Sequence, residues 1–190
     1  MDFSTYLAEF GRLLDNPAPA APYTNPDYMD YTRLNWSRMN RWLKKGVLIP
    51  SFIDAVQRIN HPQRWIVITE PWCGDAAHSI PFLHLASAQN PLISVTYELR
   101  DAAPFRINDY LTAGSKSIPK LIIRNGAGED LATWGPRPVE CQRLYNELTA
   151  SGADFEQVKT DLQRWYNSDR GESLQGELTA ILSRITPSTA

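Results

Sequence analysis

The residue best placed to do chemistry in this sequence is Cys73, in the run Trp72-Cys73-Gly74-Asp75. The β-branched segment 65–69 before it predicts a strand covered on both faces, and the segment after it predicts a helix to about residue 88. A cysteine at the start of a helix faces free backbone N–H groups and the positive end of the helix dipole, which favour the thiolate. The pattern therefore predicts a nucleophilic thiol with a lowered pKa.

The elements that position this cysteine follow from periodicity and breaks. Helices are predicted over 2–14 and 27–45, with a stiff proline-rich linker between them, and Ser51 is expected to cap a third helix through residue 59. Further strands are expected at 92–99, 118–124 and 130–134, a short helix at 104–111, and helices at 139–148, 154–167 and 172–185. The central order is β-α-β-α-β-β-α.

Three spaced features together resemble the thioredoxin family: Trp72-Cys73-Gly74 after a strand, Pro81 eight residues beyond the cysteine, and Ile118-Pro119 opening a later strand. The segments TEPWCGDAA, YLTAGSKSIPKLII and TWGPRP are also similar to a bacterial subgroup with a single cysteine in a WCGDA motif. The resemblance implies an α/β fold of three α/β/α layers around a mixed central sheet, with helical extensions at both ends.

The same resemblance divides the chain into three parts. Residues 1–59 are predicted to form a helical N-terminal extension with a proline-rich linker, and residues 60–150 the thioredoxin-like domain. Residues 151–190 are expected to form a C-terminal helical extension packed on that domain. The aromatic content of the two extensions would suit a homodimer interface.

The resemblance also implies a substrate groove. Pro119 matches the family's cis-proline, beside which an extended substrate segment can pair with the backbone. The groove around Cys73 would be completed by Ile118, Gly74 and Trp72. In the family, the tryptophan at the position of Trp72 is exposed near the thiol.

The sequence departs from the usual motif at two positions. Ala76 stands where the second, resolving cysteine of a CxxC motif is expected, and Val67 stands where thioredoxins often carry a buried acid. An adduct on Cys73 would need glutathione, a second protein or another thiol to resolve it. Ordinary dithiol exchange is therefore not expected.

Other residues near the motif have a structural and a functional interpretation. Asp75 suits a helix-start residue better than a proton carrier, and Cys141 suits a semi-buried structural cysteine better than a distant resolving thiol. Topology brings four cations towards Cys73, where they could form a positive rim, although scattered surface charges are the commoner explanation: Arg100, Lys116, Lys120 and Arg137.

Two functions remain open at this stage. One is a monothiol redox protein, an oxidoreductase that performs thiol–disulfide exchange or peroxide- or glutathione-linked chemistry through Cys73, with a protein thiol or disulfide or glutathione as partner. The other is a non-catalytic binding module that recognises a protein segment at the cis-proline groove.

Composition and charge limit the partners, location and cofactors that are expected for this protein. A net charge of −2 and the lack of a charge run give no general attraction to nucleic acid or to a membrane, and no apolar window is long enough to span a bilayer. The first residues do not resemble a secretory signal, so a cytoplasmic location is expected. The spacing of His61, His78 and His84 does not suggest a metal site, and no cofactor is expected.

Overall fold

A four-stranded mixed sheet in the order β2-β1-β3-β4 organises the fold of the computed structural model, which describes residues 1–186. The strands are Gln63–Thr69 (β1), Ile93–Leu99 (β2), Lys120–Asn125 (β3) and Asp130–Trp134 (β4). The helices are Phe3–Asp15 (α1), Pro26–Lys45 (α2), Pro50–Gln57 (α3), Gly74–Ser87 (α4), Val139–Ala150 (α5), Phe155–Asp169 (α6) and Glu172–Ile185 (α7). The predicted α/β class with a mixed sheet and flanking helices is confirmed.

The position of β1 at the centre of the sheet follows from its sequence. It pairs in parallel with β2 and antiparallel with β3, and every residue from Trp65 to Thr69 is buried. An apolar run with no polar alternation suits a strand that is covered on both faces. Because β1 ends at Thr69, the Trp72-Cys73-Gly74 segment emerges at the edge of the sheet beside the end of β2.

Three sequence predictions need correction. Ser51 does not cap α3, because that helix begins at Pro50 and its N-terminal cap is Ile49; proline suits the first helical position, where no backbone donor is needed. The helix expected over 104–111 is a short 3₁₀ helix, Arg106–Asp109. The strand expected from residue 118 begins at Lys120. The predicted segment 151–190 extends past the described residues at 187–190.

The C-terminal helices are fixed to the rest of the molecule by buried polar contacts. The fully buried Gln175 of α7 accepts a hydrogen bond from the Ile49 N–H at 2.8 Å and donates one to the Val47 carbonyl at 3.2 Å.

No helix within residues 1–186 is both long and apolar enough to cross a membrane.

His78 of α4 joins α2 to α6. Trp42 Nε1–H donates to His78 Nδ1 at 2.8 Å, so the imidazole proton must be on Nε2, which donates to Gln163 Oε1 at 3.0 Å. The imidazole also stacks on Tyr166, with ring centroids 4.4 Å apart. Burial lowers the pKa of His78 to about 3, so the imidazole is neutral in the folded protein.

We predict a stability loss in mild acid that depends on His78. The unfolded chain takes up a proton at His78 below about pH 6.5, whereas the folded chain resists protonation, so the free energy of unfolding falls as the pH is lowered from 6.5 towards 3. Urea unfolding near pH 7 and near pH 5 measures this loss.

His78→Phe is the matched variant, because it keeps a ring against Tyr166 and removes the titration. It should be about 2–4 kcal/mol less stable near pH 7, since the buried Trp42 donor and the half-buried Gln163 acceptor lose their partner. Its stability should fall less with acid than that of the wild type; an equal fall in both proteins would contradict the assignment.

Candidate functional site

Cys73 is the N-terminal cap of α4, as the sequence predicts, but its thiol is buried and only 6% of the residue is exposed. Its Sγ donates a hydrogen bond to the Ile118 carbonyl at 3.3 Å. Burial, followed by the nearby Asp75 carboxylate, raises the pKa of Cys73 to about 12. Arg137 and the N–H groups of α4 act in the opposite direction with a smaller effect. The expected lowering of the Cys73 pKa is therefore wrong.

The loop opposite Cys73 has the form that the resemblance implied, because the Ile118–Pro119 peptide is cis. Among residues 1–186, the Ile118 N–H makes no hydrogen bond to another backbone group. The Ile118 carbonyl accepts one hydrogen bond within the same residues, from the Cys73 thiol. Ile118 thus has a backbone donor and a backbone acceptor that take no part in strand pairing.

Gly135 sets the position of this loop. It has a φ of +110°, and a Cβ placed on it would overlap the Pro119 carbonyl oxygen. The Gly135 carbonyl in turn accepts a hydrogen bond from Lys120 Nζ at 3.2 Å. Only glycine permits both this backbone conformation and this close approach.

Gly135→Ala should therefore be strongly destabilising. We expect a loss of about 3 kcal/mol or more in the free energy of unfolding, because backbone strain and a clash with main-chain atoms add together. Gly128→Ala is the control: its φ is +87° but the space around it is open, so strain alone should cost about 1–2 kcal/mol. Equal losses in urea unfolding would show that the approach to Pro119 does not matter.

Asp75 does more than start a helix. Its carboxylate pairs with Arg137 Nη2 at 2.8 Å and accepts a hydrogen bond from the Tyr166 hydroxyl at 2.9 Å. Only 12% of the Asp75 side chain and 16% of the Arg137 side chain are exposed. This network joins the start of α4, the segment before α5 and helix α6.

Cys73 lies in the wall of a large cleft, and Cys141 is not among the residues that line it. Cys141 is fully buried in a separate hydrophobic cluster with Leu162 and Tyr166, and burial raises its pKa to about 12. This environment supports the structural interpretation over that of a resolving thiol. Ala76, at the position of the missing cysteine, is 1% exposed and packs in the main core.

The four cations near the motif do not form a common positive rim. Arg100 pairs with Asp101 at 2.5 Å, Arg137 pairs with Asp75, and Lys120 is buried outside the cleft, where it donates to Thr112 Oγ1 at 2.6 Å. Lys116 is exposed at the edge of the cleft. Two of the four positive charges are thus paired with carboxylates of the protein.

Helix α2 covers the motif, which sequence reasoning did not anticipate. Tyr28 meets the Trp72 ring at a centroid distance of 5.9 Å, and Asn35 Nδ2 donates to the Pro71 carbonyl at 3.2 Å. The Tyr31 hydroxyl lies so close to Gly74 that a Cβ there would overlap it. The spacing 28, 31, 35 on one helix face was the signal available in the sequence.

Trp72 is consequently less open than the resemblance implied. Its ring is partly buried. It contacts the Tyr28 ring, and the Arg100 guanidinium lies 4.6 Å from its centroid.

These residues enclose a cleft of about 1180 Å³ with Cys73 in its wall. Its other walls come from α2, the loop before Pro119, α5 and α6. Large apolar side chains are exposed at its lining, with exposed fractions of 53% for Leu34 and 74% for Phe155. The volume is sufficient for several amino-acid residues of a ligand. Within residues 1–186, no group of three or more His, Cys, Asp or Glu side chains is arranged to hold a metal ion.

Comparison with known proteins decides the family. The model of a thioredoxin family matches residues 22–153, a range that takes in α2 and α3 as well as the sheet. The chain belongs to the thioredoxin family. No curated protein matches it.

Two solved structures share the family fold. One is the crystal structure of a protein of unknown function from Pseudomonas aeruginosa, and the other is that of an HIV epitope-scaffold. Each has a TM-score of 0.59 and 17% sequence identity, covering 96% of this chain and 92% of the other. At this identity the likeness concerns the fold alone.

Asp75→Asn should make Cys73 more reactive. Removing the carboxylate leaves Arg137 uncompensated beside the thiol, so the Cys73 pKa should fall and its alkylation near pH 8 should be about three- to tenfold faster. The measurement uses a Cys141→Ser background with mass-spectrometric readout.

Glu140→Gln is the control for Asp75→Asn, because Glu140 is an exposed carboxylate in the first turn of α5. It should leave the alkylation rate unchanged. A rate unaffected by Asp75→Asn in a folded protein would refute the electrostatic role of Asp75.

Proposed function

We propose that this thioredoxin-family protein is a binding module that holds an extended protein segment in the cleft beside Ile118 and Pro119. The observation that carries the proposal is the state of Cys73: a buried thiol, hydrogen-bonded to the Ile118 carbonyl, in the wall of a large cleft. A thiol with a pKa near 12 supplies almost no thiolate at neutral pH, and thiolate is the form that attacks a disulfide.

The backbone of Ile118 supports recognition of a peptide. Its N–H lacks a backbone partner among residues 1–186, and its carbonyl accepts a hydrogen bond from the Cys73 thiol; both groups lie just before the start of β3. Extended segments commonly bind by pairing with such backbone groups, while neighbouring pockets select side chains. Leu34 and Phe155 offer apolar contact area at the same cleft.

A second candidate function is monothiol redox chemistry through Cys73, as in a single-cysteine subgroup of bacterial proteins. It is favoured by the position of the thiol, which faces the cis-proline loop from the start of α4. In such a reaction the Cys73 thiolate would attack a disulfide sulfur, form a mixed disulfide and release one thiolate, and an external thiol such as glutathione would resolve the adduct.

We further propose a cytoplasmic location, a thioredoxin-like domain over residues 60–150 with helical extensions on either side, and a homodimer that forms through those extensions.

The pH dependence of Cys73 alkylation separates the two candidate functions. In a Cys141→Ser variant only one thiol reports, and binding without catalysis predicts a midpoint well above the free-cysteine value of about 8.5. A midpoint near or below pH 7, together with a mixed disulfide that Cys73→Ser abolishes, would instead establish the monothiol function.

Peptide binding is tested by selection from a random library of peptides about eight residues long. Peptides enriched on the wild type should lose binding to Ser115→Trp, which fills the cleft from its exposed lining. They should keep binding to the control Thr133→Trp, an equally bulky change at an exposed position of β4 outside the cleft. Failure to enrich any peptide, or equal binding to both variants, would argue against peptide binding in this cleft.

A further inference from the structure

The geometry points to a latch, formed by Tyr31 of α2 and Lys159 of α6, that controls access to Cys73. The two side chains meet beside the motif, and both line the cleft. Lys159 Nζ lies 4.7 Å from the centroid of the Tyr31 ring. This contact joins two helices that are far apart in sequence and that form different walls of the cleft.

The Tyr31 side of the latch bears directly on the motif. Its hydroxyl packs against Gly74, the residue that follows the thiol. The Arg38 guanidinium lies 5.0 Å from the centroid of the Tyr31 ring and also donates to Asn35 Oδ1 at 2.8 Å. Tyr31 thus contacts two cations, and because its hydroxyl packs against the residue next to the thiol, moving its ring away would widen the approach to Cys73.

The Lys159 side of the latch is held by its own helix. Its ammonium group pairs with Glu156 Oε1 at 2.9 Å and lies 5.0 Å from the centroid of the Phe155 ring. Because 25% of the Lys159 side chain is exposed, these contacts are accessible to water and salt. The latch is therefore weak enough to open without unfolding of the buried core.

The contacts have a magnitude that suits a gate. Cation–π contacts of this kind are expected to change an equilibrium about two- to thirtyfold, depending on their solvation. Removing the ammonium group should thus increase the fraction of molecules with an uncovered Cys73 by a factor in that range. The latch acts on access to the cleft whatever ligand the cleft holds.

The test compares two alkylating reagents in a Cys141→Ser background. Iodoacetamide is small and a fluorescein-linked maleimide is bulky, and both react with the thiolate. The ratio of their rates, normalised to the same ratio for N-acetylcysteine, cancels the thiolate fraction and reports access. A change in the Cys73 pKa alone therefore leaves this ratio unaltered.

Lys159→Met, which keeps the length of the side chain and removes its charge, should raise the bulky-to-small ratio about threefold or more. Arg164→Met is the matched control: Arg164 also pairs with an acid on α6, Asp161 at 2.8 Å, but lies outside the cleft. The control should match the unsubstituted protein. An unchanged ratio in Lys159→Met, or an equal rise in Arg164→Met, overturns the latch.

A measurement that needs no change at Lys159 guards against a variant that folds poorly. Raising the salt concentration to about 1 M, where the Debye length is about 3 Å, should weaken the exposed ammonium contacts and raise the ratio while Lys159 is intact. A ratio that does not respond to salt contradicts the proposal. Either failure leaves the pH midpoint of Cys73 and the peptide selection unaffected, so the latch and the binding function are judged separately.

Discussion

The buried ion pair between Asp75 and Arg137 is the interaction on which the geometry of the cleft depends. Two charges with so little exposure are tolerable only when each has good hydrogen-bond partners. Asp75 receives a hydrogen bond from Tyr166, and Arg137 donates from Nη1 to Gln142 Oε1 at 3.1 Å. The pair therefore requires that α4, α5 and α6 all keep their places.

The same pair determines the electrostatics around the thiol. Burial raises the pKa of Cys73 most, Asp75 raises it further, and Arg137 lowers it by a smaller amount. The helix N-terminus alone would favour a thiolate. In this protein its effect is outweighed by the neighbouring helices that exclude water from the sulfur.

Much of the fold could be predicted from the sequence because local patterns are strong. The buried run of β1, the β4 segment after its glycine-containing turn, and the apolar period of α7 each indicate one structure, and each lies where it was expected. The spaced set of Cys73, Pro81 and Pro119 was sufficient to indicate the thioredoxin family, which the match over residues 22–153 establishes.

The environment of the site was not predictable in the same way. Tyr28 packs on Trp72 and Tyr31 on Gly74, each from more than forty positions earlier in the chain, and Asp75 meets Tyr166, a separation of 91 residues. No periodicity in the sequence specifies which helix packs over a motif. The N-terminus of α4 favours the thiolate, but burial by elements distant in sequence has the larger effect on the pKa of Cys73.

The contribution of α6 to the cleft has a practical consequence for choosing a minimal fragment. The family match ends at residue 153, just before α6 begins at Phe155. A fragment trimmed to that boundary would lack the hydroxyl that caps Asp75 and the amide that holds His78, and it would expose both residues to solvent. Such a fragment could retain the family's sheet while losing the environment that distinguishes this cysteine, so its thiol chemistry would not represent that of the whole chain.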